Sequence, residues 1–87
     1  MEPHLNSEHR DTLAKILGHP TSANIEWRQV VSLLEAIATV TVRHNGELKV
    51  TLGSQTEFLA EPHGKDLEIE TVVMLRRMLT QAGFGAS

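Results

Sequence analysis

Residues 40–63 read VTVRHNGELKVTLGSQTEFLAEPH, and this stretch decides the fold. Apolar and polar residues alternate over 40–43 and again over 48–52, a period of two that is typical of β-strands with one buried face. Between the two runs stands Asn45-Gly46, a dipeptide that favours a tight hairpin turn. The sequence therefore predicts two antiparallel strands joined by a short loop.

The positions of the apolar residues determine the strand register of this hairpin. A two-residue turn would pair Val42 with Lys49, which places the apolar residues of the two strands on opposite faces. A three-residue loop ending at Gly46 pairs Val42 with Leu48 and brings every apolar side chain to one face. Gly46 then takes the left-handed position of a bulge, which glycine adopts without steric cost. The other face is expected to be exposed to solvent and carries Thr39, Thr41, Arg43, Glu47, Lys49 and Thr51.

A third strand is predicted over 56–60, after a turn at 53–55. Phe58 is the first choice for its inward-facing residue and Leu59 is the alternative, because the run is too short for alternation to decide between them. Pro62 ends the strand, since proline offers no N–H group to the hydrogen-bond ladder.

Helical spacing of apolar residues predicts two helices before the strands. The first is short, has Ser7 as its N-cap and ends at Gly18. Its narrow apolar stripe consists of Leu13, Ile16 and Leu17. The second spans about 25–37 with Asn24 as N-cap, and Trp27 is expected to be a hydrophobic anchor, with an exposed ligand contact as the alternative. The residues expected to face the sheet are Val30, Leu33, Leu34 and Ile37.

A third helix is predicted after the strands, over about 68–82. Gly83 is expected to end it in a left-handed C-cap, with Phe84 folding back on Leu79. Its buried stripe is predicted to consist of Val72, Leu75, Leu79 and Ala82, widened by Ile69, Val73 and Met78. The element order is then α-α-β-β-β-α.

This order predicts an α+β fold, a three-stranded antiparallel meander with helices on one face. We expect an N-terminal helix and linker over 1–23 and an α-β-β-β-α domain over 24–87. Because a helix as short as the first one is marginal in water, it needs a docking surface. The first helix is therefore expected either to fold back on the domain or to contribute to a homodimer.

The composition limits the classes of function. With 87 residues and 40% apolar residues the chain can form one modest core, and no apolar run approaches the roughly 20 residues that span a bilayer. The absence of cysteine excludes disulfide and thiolate chemistry and, with a polar N-terminus, favours a cytoplasmic location. A net charge of −3 leaves nucleic acid only a local basic patch to bind, and the few aromatic residues argue against a base-stacking platform.

The strand order brings several polar residues to one end of the sheet. The hairpin loop, the segment after the third strand and the starts of the second and third helices all lie there, and helix N-termini attract anions. This end is a predicted anion or phosphate-backbone site, made by Arg28, Arg43, His44, Asn45, His63 and Lys65. The alternative is a solvated end that is neutralised by the carboxylates of Glu26, Glu47, Asp66 and Glu68.

No motif of the chain predicts a catalytic or metal centre. His4, His9 and His19 show no compact ligand spacing and no cysteine assists them, so we expect solvated histidines, no metal and no cofactor. No serine stands in a nucleophile elbow, and no glycine-rich phosphate loop is present.

Three stretches carry a resemblance to a known family: RHNG at 43–46, the loop PHGKDL at 62–67 and the helix end LRRMLTQAGF at 75–84. With them, residues 24–84 resemble the HicA toxins, whose fold is like the double-stranded RNA-binding domain. The family consists of ribosome-independent mRNA interferases whose catalytic histidine follows the hairpin turn in a Gly-Ser-His pattern. This chain has Leu48 at the position of that histidine, so the resemblance implies a protein that does not cleave mRNA.

Two hypotheses of function follow. The first is a HicA-like nucleic-acid-associated protein that binds RNA without interferase activity and pairs with an antitoxin-like protein in a toxin–antitoxin-like system. The second is a protein–protein interaction module of the same fold, which uses its N-terminal helix for oligomerisation. An active interferase that uses His44 or His63 is the third and least supported reading. A basic strip on the surface would favour the first hypothesis, and an apolar stripe on an exposed first helix would favour the second.

Overall fold

A computed structural model describes residues 5–18 and 24–84. Its elements are α1 (Ser7–Leu17), α2 (Trp27–Ile37), β1 (Thr39–Val42), β2 (Leu48–Leu52), β3 (Gln55–Leu59) and α3 (Ile69–Gln81). The strands form one antiparallel sheet in the order β1-β2-β3, so the predicted α+β class and element order are confirmed. Within these ranges, no helix has the length and apolar character needed to cross a membrane.

The β1–β2 hairpin has the register that the sequence predicts. Val42 is opposite Leu48, and Val40 is opposite Val50. The Arg43 N–H donates to the Glu47 carbonyl at 2.8 Å, which closes the three-residue loop. Gly46 has φ of 87°, the left-handed conformation that the bulge requires.

Replacing Gly46 by alanine should destabilise the protein by about 1–2 kcal/mol, because the new Cβ is strained at positive φ. Gly64 is the matched control, since a Cβ there also meets open space but φ lies outside the positive range. Gly64→Ala should change the free energy of unfolding little. Urea denaturation of both variants measures the difference, and equal effects would contradict the assigned role of the bulge.

The third strand corrects one prediction about the core. Leu59 is the inward residue, only 2% exposed, and the first choice, Phe58, is 47% exposed. Only Gly53 and Ser54 form the turn, so β3 begins at Gln55. The resulting register sets Leu59 opposite the buried Leu48 and therefore turns Phe58 to the other face.

The start of α2 also differs from the prediction. The helix begins at Trp27, and Glu26 is its N-cap, in a capping box with Gln29; Asn24 is not the cap. Glu26 is extended, and Ile25 before it is fully buried, with its carbonyl accepting from the Leu67 N–H at 2.8 Å. Backbone bonds to a distant segment thus take the place of a first helical turn.

The first helix is folded against its own chain. Its N-cap is Asn6, whose side-chain oxygen accepts from the His9 N–H at 2.8 Å, so Ser7 is the first helical residue and not the cap. The helix ends before Gly18, as predicted. It packs on α2 and α3, with Ile16 fully buried and Leu13 and Leu17 partly buried.

Two polar side chains tie α1 to the other helices. His9 shares a 2.8 Å hydrogen bond with Ser32 of α2, so this histidine is partly buried and not solvated as expected. From α3, the Arg76 guanidinium donates to the carbonyls of Ile16 at 2.9 Å and of Gly18 at 2.7 Å. The last carbonyls of α1 therefore receive charged donors, which also complement the helix dipole. Two other histidines, His4 and His19, lie outside the described residues.

The third helix is one residue shorter than predicted at each end. Its buried residues are Val72, Leu75, Met78 and Leu79, whereas Ile69, Val73 and Ala82 are exposed and do not belong to the buried stripe. The predicted C-cap is confirmed, because Gly83 has φ of 98°. Phe84 folds back as expected, and its N–H donates to the Leu79 carbonyl at 2.9 Å.

Candidate nucleic-acid interface

The loops at the hairpin end of the sheet lie side by side. Asn45, Gly46 and Glu47 line a groove together with Ala60 and Glu61, so the hairpin loop is next to the segment that leaves β3. A second groove continues from that segment to the first turns of α3 and is lined by residues 58–63 with Leu67, Glu68, Thr71 and Met74. It contains His63 of the predicted site but not His44.

Lys65 and Arg28 stand on neighbouring segments at this end. The Trp27 N–H donates to the Lys65 carbonyl at 2.8 Å, which joins the start of α2 to the loop before α3. The Arg28 side chain is 87% exposed and lies 3.8 Å from the Glu26 carboxylate. An antiparallel β-bridge between the backbones of Glu26 and Asp66 brings a second carboxylate to the same place. The charge at these two segments is therefore mixed.

The two histidines of the predicted site are exposed, and no side chain within 5–18 or 24–84 is hydrogen bonded to His44 or His63. A general acid or base in a catalytic site is normally oriented by such a partner. Leu48, at the position where the HicA resemblance would require a histidine, is buried in β2 between Val42 and Leu59. Neither His44 nor His63 is therefore a positioned proton-transfer group.

Arg43 connects the hairpin end to the uncovered side of the sheet. Its guanidinium is 3.4 Å from the Glu47 carboxylate and 5.0 Å from the centroid of the Phe58 ring. Directly opposite Phe58 in the strand register stands Lys49. A half-exposed aromatic ring therefore has one cationic side chain over it and a second opposite it in the strand register, an arrangement that the sequence analysis missed because it placed Phe58 in the core. The alternative prediction, with Leu59 facing inward, places Phe58 on the same face as Arg43 and Lys49.

We use the name open sheet face for the side of the sheet that no helix within the described residues covers, made by Thr39, Thr41, Arg43, Glu47, Lys49, Thr51, Thr56 and Phe58. Arg43, paired with Glu47, and Lys49 are both on it, whereas Glu57 points to the other side because it alternates with Phe58. Exposed aromatic rings stack on nucleic-acid bases, and nearby cations bind the phosphates. The hydroxyls add neutral hydrogen-bond donors and acceptors. This face has the chemistry of a small single-stranded nucleic-acid surface.

Among the residues that the structure describes, no three histidine, cysteine, aspartate or glutamate side chains stand close enough to hold a metal ion. Comparison of the chain with protein-family models, with curated proteins and with solved structures finds no match. The site must therefore be interpreted from its own chemistry.

Proposed function

We propose that this chain is a HicA-like nucleic-acid-associated protein that binds single-stranded RNA on its open sheet face without cleaving it. The observation that carries the proposal is the placement of the Phe58 ring, 5.0 Å from the Arg43 guanidinium and opposite Lys49. The α-β-β-β-α order that follows α1 is the order expected of a HicA-like protein. The same resemblance makes an antitoxin-like protein the partner to be sought.

Binding to this face should be local and sensitive to salt. Because the whole chain has a net charge of −3, attraction at long range is weak, and contacts at Arg43 and Lys49 must supply the phosphate neutralisation. Arg43 stands where the open sheet face meets the hairpin loop, so a strand stacked on Phe58 would continue toward His44 and Asn45. Two residues of the predicted anion site, His44 and Asn45, would thus extend the open sheet face as a path for a single strand.

The lack of cleavage follows from the position of Leu48. A leucine in the core cannot transfer a proton, and its side chain points away from the open sheet face on which RNA would lie. A histidine introduced there would also be directed into the core. The protein would therefore hold RNA without the acid–base group of the family it resembles.

Phe58→Ala should weaken binding of a short fluorescent single-stranded RNA by about 5- to 150-fold, the loss of one base–aromatic stack of about 1–3 kcal/mol. Val73→Ala, which truncates an exposed apolar side chain on α3, is the control and should bind normally.

Lys49→Gln should also weaken RNA binding and should lower the slope of log K against log salt concentration by about 0.7. Arg77→Gln, an equal change in net charge on α3, should do neither. Fluorescence anisotropy at several salt concentrations measures both. Equal effects of the two charge variants, or no RNA binding at low salt, would contradict the proposal that RNA binds on the open sheet face.

A separate test addresses cleavage. The purified protein should leave mRNA intact, and its expression should be tolerated by a bacterial host. Growth arrest that disappears in His44→Ala or His63→Ala would show an active interferase and overturn this part of the proposal, while leaving RNA binding to be judged by anisotropy.

The alternative of an interaction module built on α1 requires apolar side chains that a partner can reach. In the structure Leu13, Ile16 and Leu17 pack on the chain's own core. No observation on α1 therefore favours this function over RNA binding.

A further inference from the structure

The first strand of the sheet has a free edge with a regular set of backbone groups. Because Arg43 and Glu47 form a hydrogen-bonded pair, paired and unpaired positions alternate down the hairpin, and Thr41 bonds to Lys49. Val40 and Val42 therefore direct their N–H and C=O groups away from β2. No hydrogen bond from the described part of the chain reaches these four groups.

Apart from its length of four residues, this edge lacks, within the described part of the chain, the features that normally prevent strand addition. Proteins protect edge strands with charged residues, prolines or a covering element. The other edge strand, β3, contains Glu57 and is followed by Pro62, whereas Thr39–Val42 has neither charge nor proline. Val42 is also 68% exposed, although it is on the side of the sheet that the helices cover. The helices thus leave an apolar side chain beside an open set of backbone donors and acceptors.

We propose that β1 is the interface of a homodimer, in which the β1 strands of two copies pair antiparallel about a two-fold axis at Thr41. The sequence Val40-Thr41-Val42 reads the same in both directions, so the edge is complementary to itself. Val40 of each copy exchanges two hydrogen bonds with Val42 of the other, and all four free groups of each strand are used. The contact is isologous and closes at two copies, giving a sheet of six strands.

The charges around the two-fold axis permit this pairing. On the open sheet face, Thr41 is opposite Thr41 of the second copy, and Thr39 is opposite Arg43 of the second copy, so no like charges face each other. A foreign extended peptide could form the same backbone bonds, but only a second copy brings this symmetry of side chains. The second copy is therefore the occupant to which the edge is best matched.

The helices on the covered side are compatible with the same arrangement. Since α2 packs on β1, pairing of the edges brings the two α2 helices side by side. Neighbouring strands are about 4.8 Å apart. If each α2 lies above the middle of its own β1–β2 pair, the axes of the two α2 helices are about 10 Å apart, a normal packing distance. The pairing would also cover Val42. Because the paired strands are short, the interface is small and the dimer should depend on protein concentration.

Cysteine cross-linking tests the pairing directly, because the chain has no cysteine of its own. Thr41→Cys places two thiols at a non-hydrogen-bonded pair, where the Cα atoms are about 4.5 Å apart and a disulfide can form. Thr51→Cys is the control on β2, on the same face but away from the axis. Under mild oxidation Thr41→Cys should form the covalent dimer at least about tenfold faster than the control.

Charge variants test the same contact in solution by sedimentation over a range of concentrations. Thr41→Glu places two carboxylates next to each other at the two-fold axis. Within each chain the new carboxylate is opposite Lys49, a favourable cross-strand charge pair, so the variant should fold normally. The dissociation constant of its dimer should be about tenfold higher than that of the matched control, Thr51→Glu, so that the dimer comes apart at about tenfold higher protein concentration. An equimolar mixture of Thr41→Glu and Thr41→Lys should associate more strongly than either alone.

The outcomes separate the possible occupants of the edge. A monomer at every concentration, together with equal cross-linking of the two cysteine variants, overturns the proposal. So does a dimer that Thr41→Glu leaves unchanged, since its interface must then lie elsewhere. Addition of a foreign strand without self-association would also refute it. None of these results depends on whether RNA binds.

Discussion

Leu75→Ala should lower the free energy of unfolding by about 2–5 kcal/mol, which is a large part of the stability of a domain of this size. Leu75 is fully buried in the centre of α3 and belongs to the one hydrophobic cluster that includes residues of α1, α2 and the sheet. The truncation removes buried methyl groups and leaves a cavity that the surrounding elements can fill only in part. Chemical denaturation followed by circular dichroism measures the loss.

Val73→Ala is the matched control on the same helix. Val73 is 37% exposed, although its spacing in the sequence suggested that it widens the buried stripe. Its truncation should cost less than about 1 kcal/mol, since little apolar area is removed from the interior. Similar losses for the two variants would mean that α3 presents a different face to the sheet and would contradict the assigned core.

The hairpin could be predicted because its information is local. The alternation of apolar residues and the position of Gly46 admit only one register that places Val40, Val42, Leu48 and Val50 on one side. The end of α3 is local in the same way, since a glycine followed by an apolar residue specifies a left-handed cap. In the hairpin and in the C-cap of α3, the backbone conformation that glycine allows is also the one that directs the neighbouring apolar side chains toward the core.

The start of α2 could not be read from neighbouring residues. Its boundary depends on two backbone hydrogen bonds with a segment about 40 residues later in the chain: the Leu67 N–H donates to the Ile25 carbonyl, and the Trp27 N–H donates to the Lys65 carbonyl. The choice between Phe58 and Leu59 likewise depended on where β3 begins, which is set by the length of the turn. Such features depend on tertiary contacts and not on local propensity.

The candidate site could be predicted only in part. Strand order was sufficient to bring the hairpin loop beside the segment after β3, because it follows from the direction of each strand. The contact between Arg43 and Phe58 depended on the face to which each side chain points, and a single wrong choice for Phe58 concealed it. The assignment of an anion site to Arg28, Arg43, His44, Asn45, His63 and Lys65 stays a prediction, as does the boundary between 1–23 and 24–87.

Arg76→Met should destabilise the protein by about 2–3 kcal/mol, because two hydrogen bonds from a charged donor to backbone carbonyls are lost. The carbonyls of Ile16 and Gly18 are the acceptors, so the loss falls on the C-terminal end of α1. With 11 residues, α1 is too short to be stable without docking. Amide hydrogen exchange should therefore accelerate in α1 first, while the amides of β2 keep their protection.

Arg77→Met provides the comparison, because it removes the same charge from an adjacent, exposed position on α3. It should leave both the stability and the exchange of α1 nearly unchanged. Arg76→Lys should recover only part of the loss, since a single ammonium group does not reproduce the two donors of the guanidinium fork. If α1 exchanges faster on its own in Arg76→Met, the helix is a separately opening unit docked on the domain, as the boundary at residue 23 predicts. If α1 and β2 lose protection together, the guanidinium joins them in one cooperative unit and that boundary is wrong.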